Sequence, residues 1–267
     1  AKEFIRRCVT RTDRAALAFT SGRSDAARQL LPPDDTFSAA IDRFVGQKVG
    51  SPTVEKFGGQ REPAGATGRP SATDTRSPAD AVRVHQARSS IDTLSRVVMQ
   101  AAAIHGRRKS IVLLSEGIDV NLDGTDDTLR EVRDQIRNLS ATANRVGATL
   151  YALDPRGPSQ GGEHAVEITG SGSQTMLTDE LRVAQAGLQT LAEGTGGIAF
   201  LNTMDLDRVF STIDEANSSY YLLSYSSSTP ADGKFHPLDV RVALPGVTVK
   251  ARRGFVKVPV AAPTAAP

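Results

Sequence analysis

The sequence predicts an open α/β fold, a mostly parallel sheet flanked by helices, followed by an antiparallel β-meander. Three observations predict it. The first is the stretch Arg107-Arg108-Lys109-Ser110-Ile111-Val112-Leu113-Leu114-Ser115-Glu116-Gly117-Ile118-Asp119, a basic cluster leading into an apolar run that stops at small and acidic residues. Ile111 to Leu114 does not alternate, so it reads as a strand buried on both faces. The second is the alternation of such runs with helix-period segments, which implies parallel strands with helices on both sides. The third is a change of period after residue 218, where short strands separated by turn signals take over.

Taken in order, Phe4, Ile5, Cys8 and Val9 share one helical face, as expected of a chain entered within a helix; no Met or signal peptide opens it. Ala15 to Phe19 reads as a strand, Thr20 to Asp25 as a turn and Ala27 to Leu31 as its hairpin return. Pro32-Pro33-Asp34-Asp35 caps a helix carrying Phe37, Ala40, Ile41, Phe44 and Val45. Residues 47–79 are rich in Gly, Pro, Ser and Thr and read as a mobile insertion. A helix from about Ala79 to Ile104 leads to strand Ser110–Leu114, with Arg107 and Arg108 expected to close it, where cations suit the negative end of the dipole. Helix Asp127–Val146, strand Ala148–Leu153, a helix from Thr178 stopped by Gly194 and Gly196, strand Ile198–Leu201 and helix Met204–Ala216 complete the alternation. Tyr220–Tyr225, Phe235–Leu244 and Val247–Val258 are the meander strands, with turns at Asp232-Gly233 and Pro245-Gly246. The domain plan is 1–218, then 219–258, then a Pro/Ala-rich tail at 259–267.

Composition sets limits. Hydrophobic residues are 39% of the 267, enough for a core of Leu, Val, Ile and Ala although only 5% are aromatic. No apolar run approaches the roughly 18 residues of a membrane span. A net charge of +2 gives no electrostatic case for nucleic acid, and the single Cys8 excludes an intramolecular disulfide.

The stretch from Gly106 to Asp119 resembles the fourth-strand motif of von Willebrand factor A domains, in which a strand ends in Ser-Asp-Gly. The Glu version followed by Ile-Asp resembles a bacterial branch of that family, common in acidobacteria. Further segments are similar in the same order: Ala18 to Ala26, Tyr151-Ala152-Leu153-Asp154-Pro155-Arg156-Gly157, Leu191 to Gly197, Tyr220 to Tyr225, Asp232 to Phe235 and Ala251 to Phe255. The resemblance implies a Rossmann-like sheet and a non-enzymatic, adhesion-type protein-binding module. It also implies an exported, secreted or periplasmic protein.

Family members hold a metal ion through three loops, and the first, Asp-x-Ser-x-Ser, has no counterpart here. Ser89 or Ser90 aligns loosely with the second, and Glu116 replaces the Asp of the third. What remains is a remnant metal site at Ser115, Glu116 and Asp119, the competing reading being a polar loop that caps a strand end. No cofactor is expected for this chain, with magnesium or calcium reserved for a longer form that supplies the first loop. The partner-binding rim implied by the resemblance comprises Thr20, Arg23, Ser115, Glu116, Asp119 and Asp154, at strand ends where such folds bind ligands.

Asp119 to Asp127 also matches the first half of a calcium loop, with Gly124 at the sixth position, but Arg130 stands where a bidentate Glu belongs. The alternative is that Asp126 or Asp127 caps the following helix. The rival functional class is an enzyme, a hydrolase or metal-dependent activity on the Ser115, Glu116 and Asp119 loop, with a Ser115–His164–Asp154 triad as one form. A third reading is a purely structural domain. Lys234, His236, Arg241, Lys250, Arg252, Arg253 and Lys257 gather near the end, either as a basic face for an acidic partner or as the outer face of a sheet with Val240, Val242 and Val249 inward.

Overall fold

A computed structural model describes residues 2–10, 13–20, 35–42, 78–104, 106–118, 120, 126–158, 171–218, 221, 223, 225–247, 249, 251–252 and 254–257. Three parallel strands organise them: β1 (Lys109–Leu114), β2 (Ala148–Leu153) and β3 (Ala199–Phe200), in the spatial order β1-β2-β3. Lys109 stands opposite Ala148 and Leu114 opposite Leu153, while Ala152 and Leu153 face Ala199 and Phe200. The helices are α1 (Lys2–Cys8), α2 (Asp35–Asp42), α3 (Pro78–Ala102), α4 (Asp127–Val146), α5 (Ser171–Gly194) and α6 (Leu206–Ser218). The described chain is thus a mixed α/β structure with helices packed on a parallel sheet.

β2 shows why an apolar run without alternation belongs in such a sheet. All six of its residues are buried. Leu150 and Ala152 point into a cluster with Ile91, Leu94 and Val98 of α3, Val132 and Ile136 of α4, and Leu188 and Leu191 of α5. Tyr151 and Leu153 point the other way, onto Val209, Phe210 and Ile213 of α6, with Phe4 and Cys8 of α1 packed against them. The Phe4 and Phe210 rings lie 5.3 Å apart. Each fully buried aliphatic side chain here contributes about 1.5–3 kcal/mol of transfer free energy, so the two faces together specify the strand.

α4 follows its sequence signals closely. Asp126 is the N-cap and accepts a hydrogen bond from the Thr128 amide at 2.9 Å, so the helix-capping alternative for the Asp-rich segment holds at this residue. Gly147 closes the helix at φ 74° and donates its amide to Asn144 O. Two cations from elsewhere reach the carbonyls of that end: Lys109 Nζ donates to Val146 O and Arg252 Nη1 to Asn144 O, both at 2.7 Å. α3 stops at Ala102, and Gly106 at φ 71° separates Arg107 and Arg108 from its end along the chain.

Other expectations need correction. β1 is less enclosed than its apolar run suggests: Leu113 is buried, Ile111 and Val112 are half-buried against the clusters on opposite faces, and Leu114 is 44% exposed. The central, enclosed place belongs to β2, which has a strand on each side. Ala15 to Phe19 supplies an isolated bridge at Ala15 rather than a strand. α5 begins at Ser171, not Thr178. The C-terminal strands are shorter than their apolar patterns suggest: β4 (Phe235–Pro237) and β5 (Gly254–Val256) form a two-stranded antiparallel sheet, with Phe235 opposite Val256. Tyr221, Leu223 and Tyr225 lie in no ladder, and Val242 and Val249 are exposed rather than inward. Small sheets have few ladder bonds with which to hold longer strands. Residues 27–31 and residues 47–77 of the expected insertion lie outside the described residues, while Pro78 and Ala79, its last two residues, already belong to α3. No helix among the described residues is long and apolar enough to cross a membrane.

Candidate functional site at the carboxyl rim of the sheet

The three strands end side by side, and each delivers one polar residue to the same rim. Ser115 follows β1, and its amide donates to Leu153 O at 3.1 Å. Asp154 follows β2, and its amide donates to Phe200 O at 3.0 Å. Asn202 follows β3 in the left-handed region, at φ 53°. Gln185 joins them from α5, an amide side chain buried on the same helix as Ala184, Leu188 and Leu191.

Asp154 is the centre of the arrangement and is fully buried, at 0% exposure. Its Oδ1 accepts from the Arg156 amide at 3.1 Å and from Arg156 Nε at 2.9 Å. Its Oδ2 accepts from Arg156 Nη2 and from Gln185 Nε2, both at 2.9 Å. Four donors on two carboxylate oxygens fill its acceptor capacity. Burial alone would raise the Asp154 pKa, but the hydrogen bonds from Arg156 and Gln185, with the guanidinium charge, outweigh it and hold the carboxyl below its ordinary value.

The same bonds position the neighbours. Gln185 Nε2 also reaches Asn202 Oδ1 at 2.9 Å, tying β3 to the cluster. Arg156 Nη2 donates to Glu116 O as well, so one guanidinium spans the loops after β1 and β2. The Arg156 side chain still keeps 31% of its surface exposed. The loop after β1 lies hard against α5: Ile118 N donates to Ala184 O at 3.3 Å, and a Cβ on Gly117 would stand 2.6 Å from the Ala184 Cβ. Gly117 also sits at φ 129°, so glycine is required there on both counts.

The expected rim residues fall into three groups. Ser115 and Glu116 are brought to the rim, Glu116 exposed and Ser115 half-buried. Asp154 is at the rim but beneath it, with no surface to offer a partner; it organises Arg156 rather than making contact itself. Thr20 is half-buried and makes no hydrogen bond in this network, whereas Arg23, Asp119 and His164 lie outside the described residues. Arg156, Gln185 and Asn202 were not predicted. Gln185 had a signal, a polar residue on an otherwise apolar helical face, and Arg156 stood two residues beyond a strand-end Asp, in reach of an Asx-type turn.

The remnant metal set does not fit a cation at its described members. The Ser115 hydroxyl accepts from the Gly117 amide at 3.2 Å, and the Arg156 guanidinium stands on the Glu116 carbonyl. A fixed positive charge at that point opposes a second cation. Among the described residues, no three His, Cys, Asp or Glu side chains gather in a way that could hold a metal ion. The Asp154 carboxylate, which would orient a base in a Ser115–His164–Asp154 triad, already accepts from Arg156 and Gln185. Comparison with known protein families, curated proteins and solved structures finds no match to this chain.

Proposed function

We propose that this chain is a non-enzymatic protein-interaction module of the von Willebrand factor A type, with Rossmann-like winding and a degenerate metal-ion-dependent site. Its partner docks at the carboxyl rim, on Glu116, Ser115 and the exposed part of Arg156, with Thr20, Arg23 and Asp119 completing the contact on the strength of the family resemblance. The observation that carries this reading is the Asp154–Arg156–Gln185–Asn202 network, in which Asp154 and Gln185 are buried and Arg156 and Asn202 reach solvent. It spends four donors and a buried carboxylate on fixing the surface of strand-end loops, where α/β folds bind ligands. The Arg156 guanidinium, paired with Asp154, keeps an exposed part at this rim that offers hydrogen-bond donors to a partner. The same resemblance supports a secreted or periplasmic setting.

The test has two arms. Calorimetric titration with magnesium chloride should give no saturable heat, and Glu116→Arg should abolish capture of a protein partner from the source organism's exported fraction. Arg145→Glu, on the exposed surface of α4, should leave that capture intact. Micromolar magnesium binding lost in Glu116→Ala, or ester hydrolysis lost in Ser115→Ala, would replace this reading with the metal-site or hydrolase alternative.

A further inference from the structure

Beside the Asp154 network, the rim carries apolar side chains that the fold leaves uncovered. Met204, from the loop between β3 and α6, lies over Gly157, where a Cβ would collide with its Sδ, yet Met204 is 71% exposed. Leu206 opens α6, with its amide on Met204 O at 3.0 Å, and is 43% exposed. Gly157 follows Arg156, whose Nη2 donates to Glu116 O. Contacts therefore run from Glu116 through Arg156 and Gly157 to Met204, so the apolar patch and the loop after β1 share one surface. The charge of that surface is not balanced. Arg156 is committed to the buried Asp154 carboxylate, and the two charges cancel. Glu116 is exposed, and among the described residues its carboxylate takes part in no hydrogen bond or ion pair. Asp205, next to Met204, is exposed as well. Its Oδ1 accepts from the Arg208 amide at 2.9 Å, and among the described residues it has no ion pair.

Each of these groups selects its own complement. Met204 and Leu206 gain transfer free energy only when an apolar side chain covers them. The carboxylates of Glu116 and Asp205 attract a cation and oppose an acidic surface or a polyanion. The exposed part of Arg156 donates to an oxygen, and a main-chain carbonyl supplies one without adding charge. We propose that the rim recognises a protein segment bearing a Lys or Arg beside an apolar side chain, with the cation on Glu116, the apolar group over Met204 and Leu206, and a main-chain carbonyl on Arg156. This inference rests on the rim docking proposed above and adds the chemistry of the partner.

Selection of a displayed library of random short peptides on the full chain tests it. Enriched peptides should carry Lys or Arg next to an apolar residue, and selection on Glu116→Lys should turn the charged position to Asp or Glu. Fluorescence anisotropy of the most enriched basic peptide should show binding that weakens as salt is added. Glu116→Gln should weaken it by about fivefold or more. Met204→Ser should weaken it by about fivefold as well, with an unchanged melting curve because the side chain is mostly exposed. Arg145→Glu should bind the peptide as the parent does. Enrichment of acidic or uncharged peptides that depends on Glu116 or Met204 would overturn the basic partner and leave rim docking in place. Enriched peptides indifferent to both Glu116→Lys and Met204→Ser, or no enrichment at all, would overturn both.

Discussion

Asp154 carries more of the rim than any other side chain, and the reason is its burial. A carboxylate without solvent has to be satisfied by the protein, and Arg156 and Gln185 do so completely. Asp154→Ala should destabilise the fold by about 3 kcal/mol, because it strands those donors and leaves the guanidinium without its counter-charge. Equilibrium denaturation in urea measures that loss. The acid dependence has a definite sign. The folded carboxyl has a lowered pKa, so its stabilising contribution is present above the unfolded value of about 3.9 and is lost as pH falls through the lower folded value. The parent should therefore lose stability steeply below about pH 4, and Asp154→Asn should be less stable at neutrality with a flatter acid limb. A parallel pair of pH profiles would show that the carboxyl titrates without consequence.

Elements are held by different means at their ends and in their middles. The ends of α4 depend on single residues, so Asp126→Ala should cost about 1 kcal/mol by leaving the Thr128 amide without its acceptor. Thermal unfolding of the variant checks this. β3 is short, and it lies beside β2 because nothing stands between the backbones: a Cβ on Gly197 would collide with Leu150 O. Gly197→Ala should therefore push β3 away from β2 and reduce stability by about 2–4 kcal/mol, more than propensity alone would suggest. Because Asn202 lies two residues beyond the end of β3, the same variant should loosen the rim, visible as faster amide exchange at Asp154, whose amide bonds to Phe200 O.

At the scale of the whole molecule, Arg252 ties the C-terminal segment to the α/β part. Arg252 Nη1 donates to Asn144 O at 2.7 Å, and Gly196 lies against the Arg252 backbone, where a Cβ would stand 3.2 Å from its amide nitrogen. Burial, and then the charge of Arg108, lower the Arg252 pKa, as expected for a cation held against protein rather than in water. Removing residues 219–267 should lower the melting temperature by about 2–4 °C for each kcal/mol those contacts contribute. An unchanged transition in the shortened chain would show the small sheet to be an independent appendage.

The sequence by itself determined the elements whose signals are local. β2 and α4 match their expected bounds to the residue, Asp126 is one of the two cap candidates read for α4, and the order of strands and helices from α3 to α6 follows from pattern period. It also marked Ser115 and Glu116, because a strand end in an α/β fold is a position along the chain. The tertiary structure decided everything that depends on neighbours. It put β2 rather than β1 at the centre of the sheet, since enclosure is a property of pairing on both sides and not of an apolar run. It left Val242 and Val249 in solvent, because alternation describes a face without naming what covers it. It also gathered Asp154, Arg156, Gln185 and Asn202 from three separate elements. Their hydrogen bonds form only once parallel strands bring chain segments up to 48 residues apart to one rim, a distance that no local pattern reads.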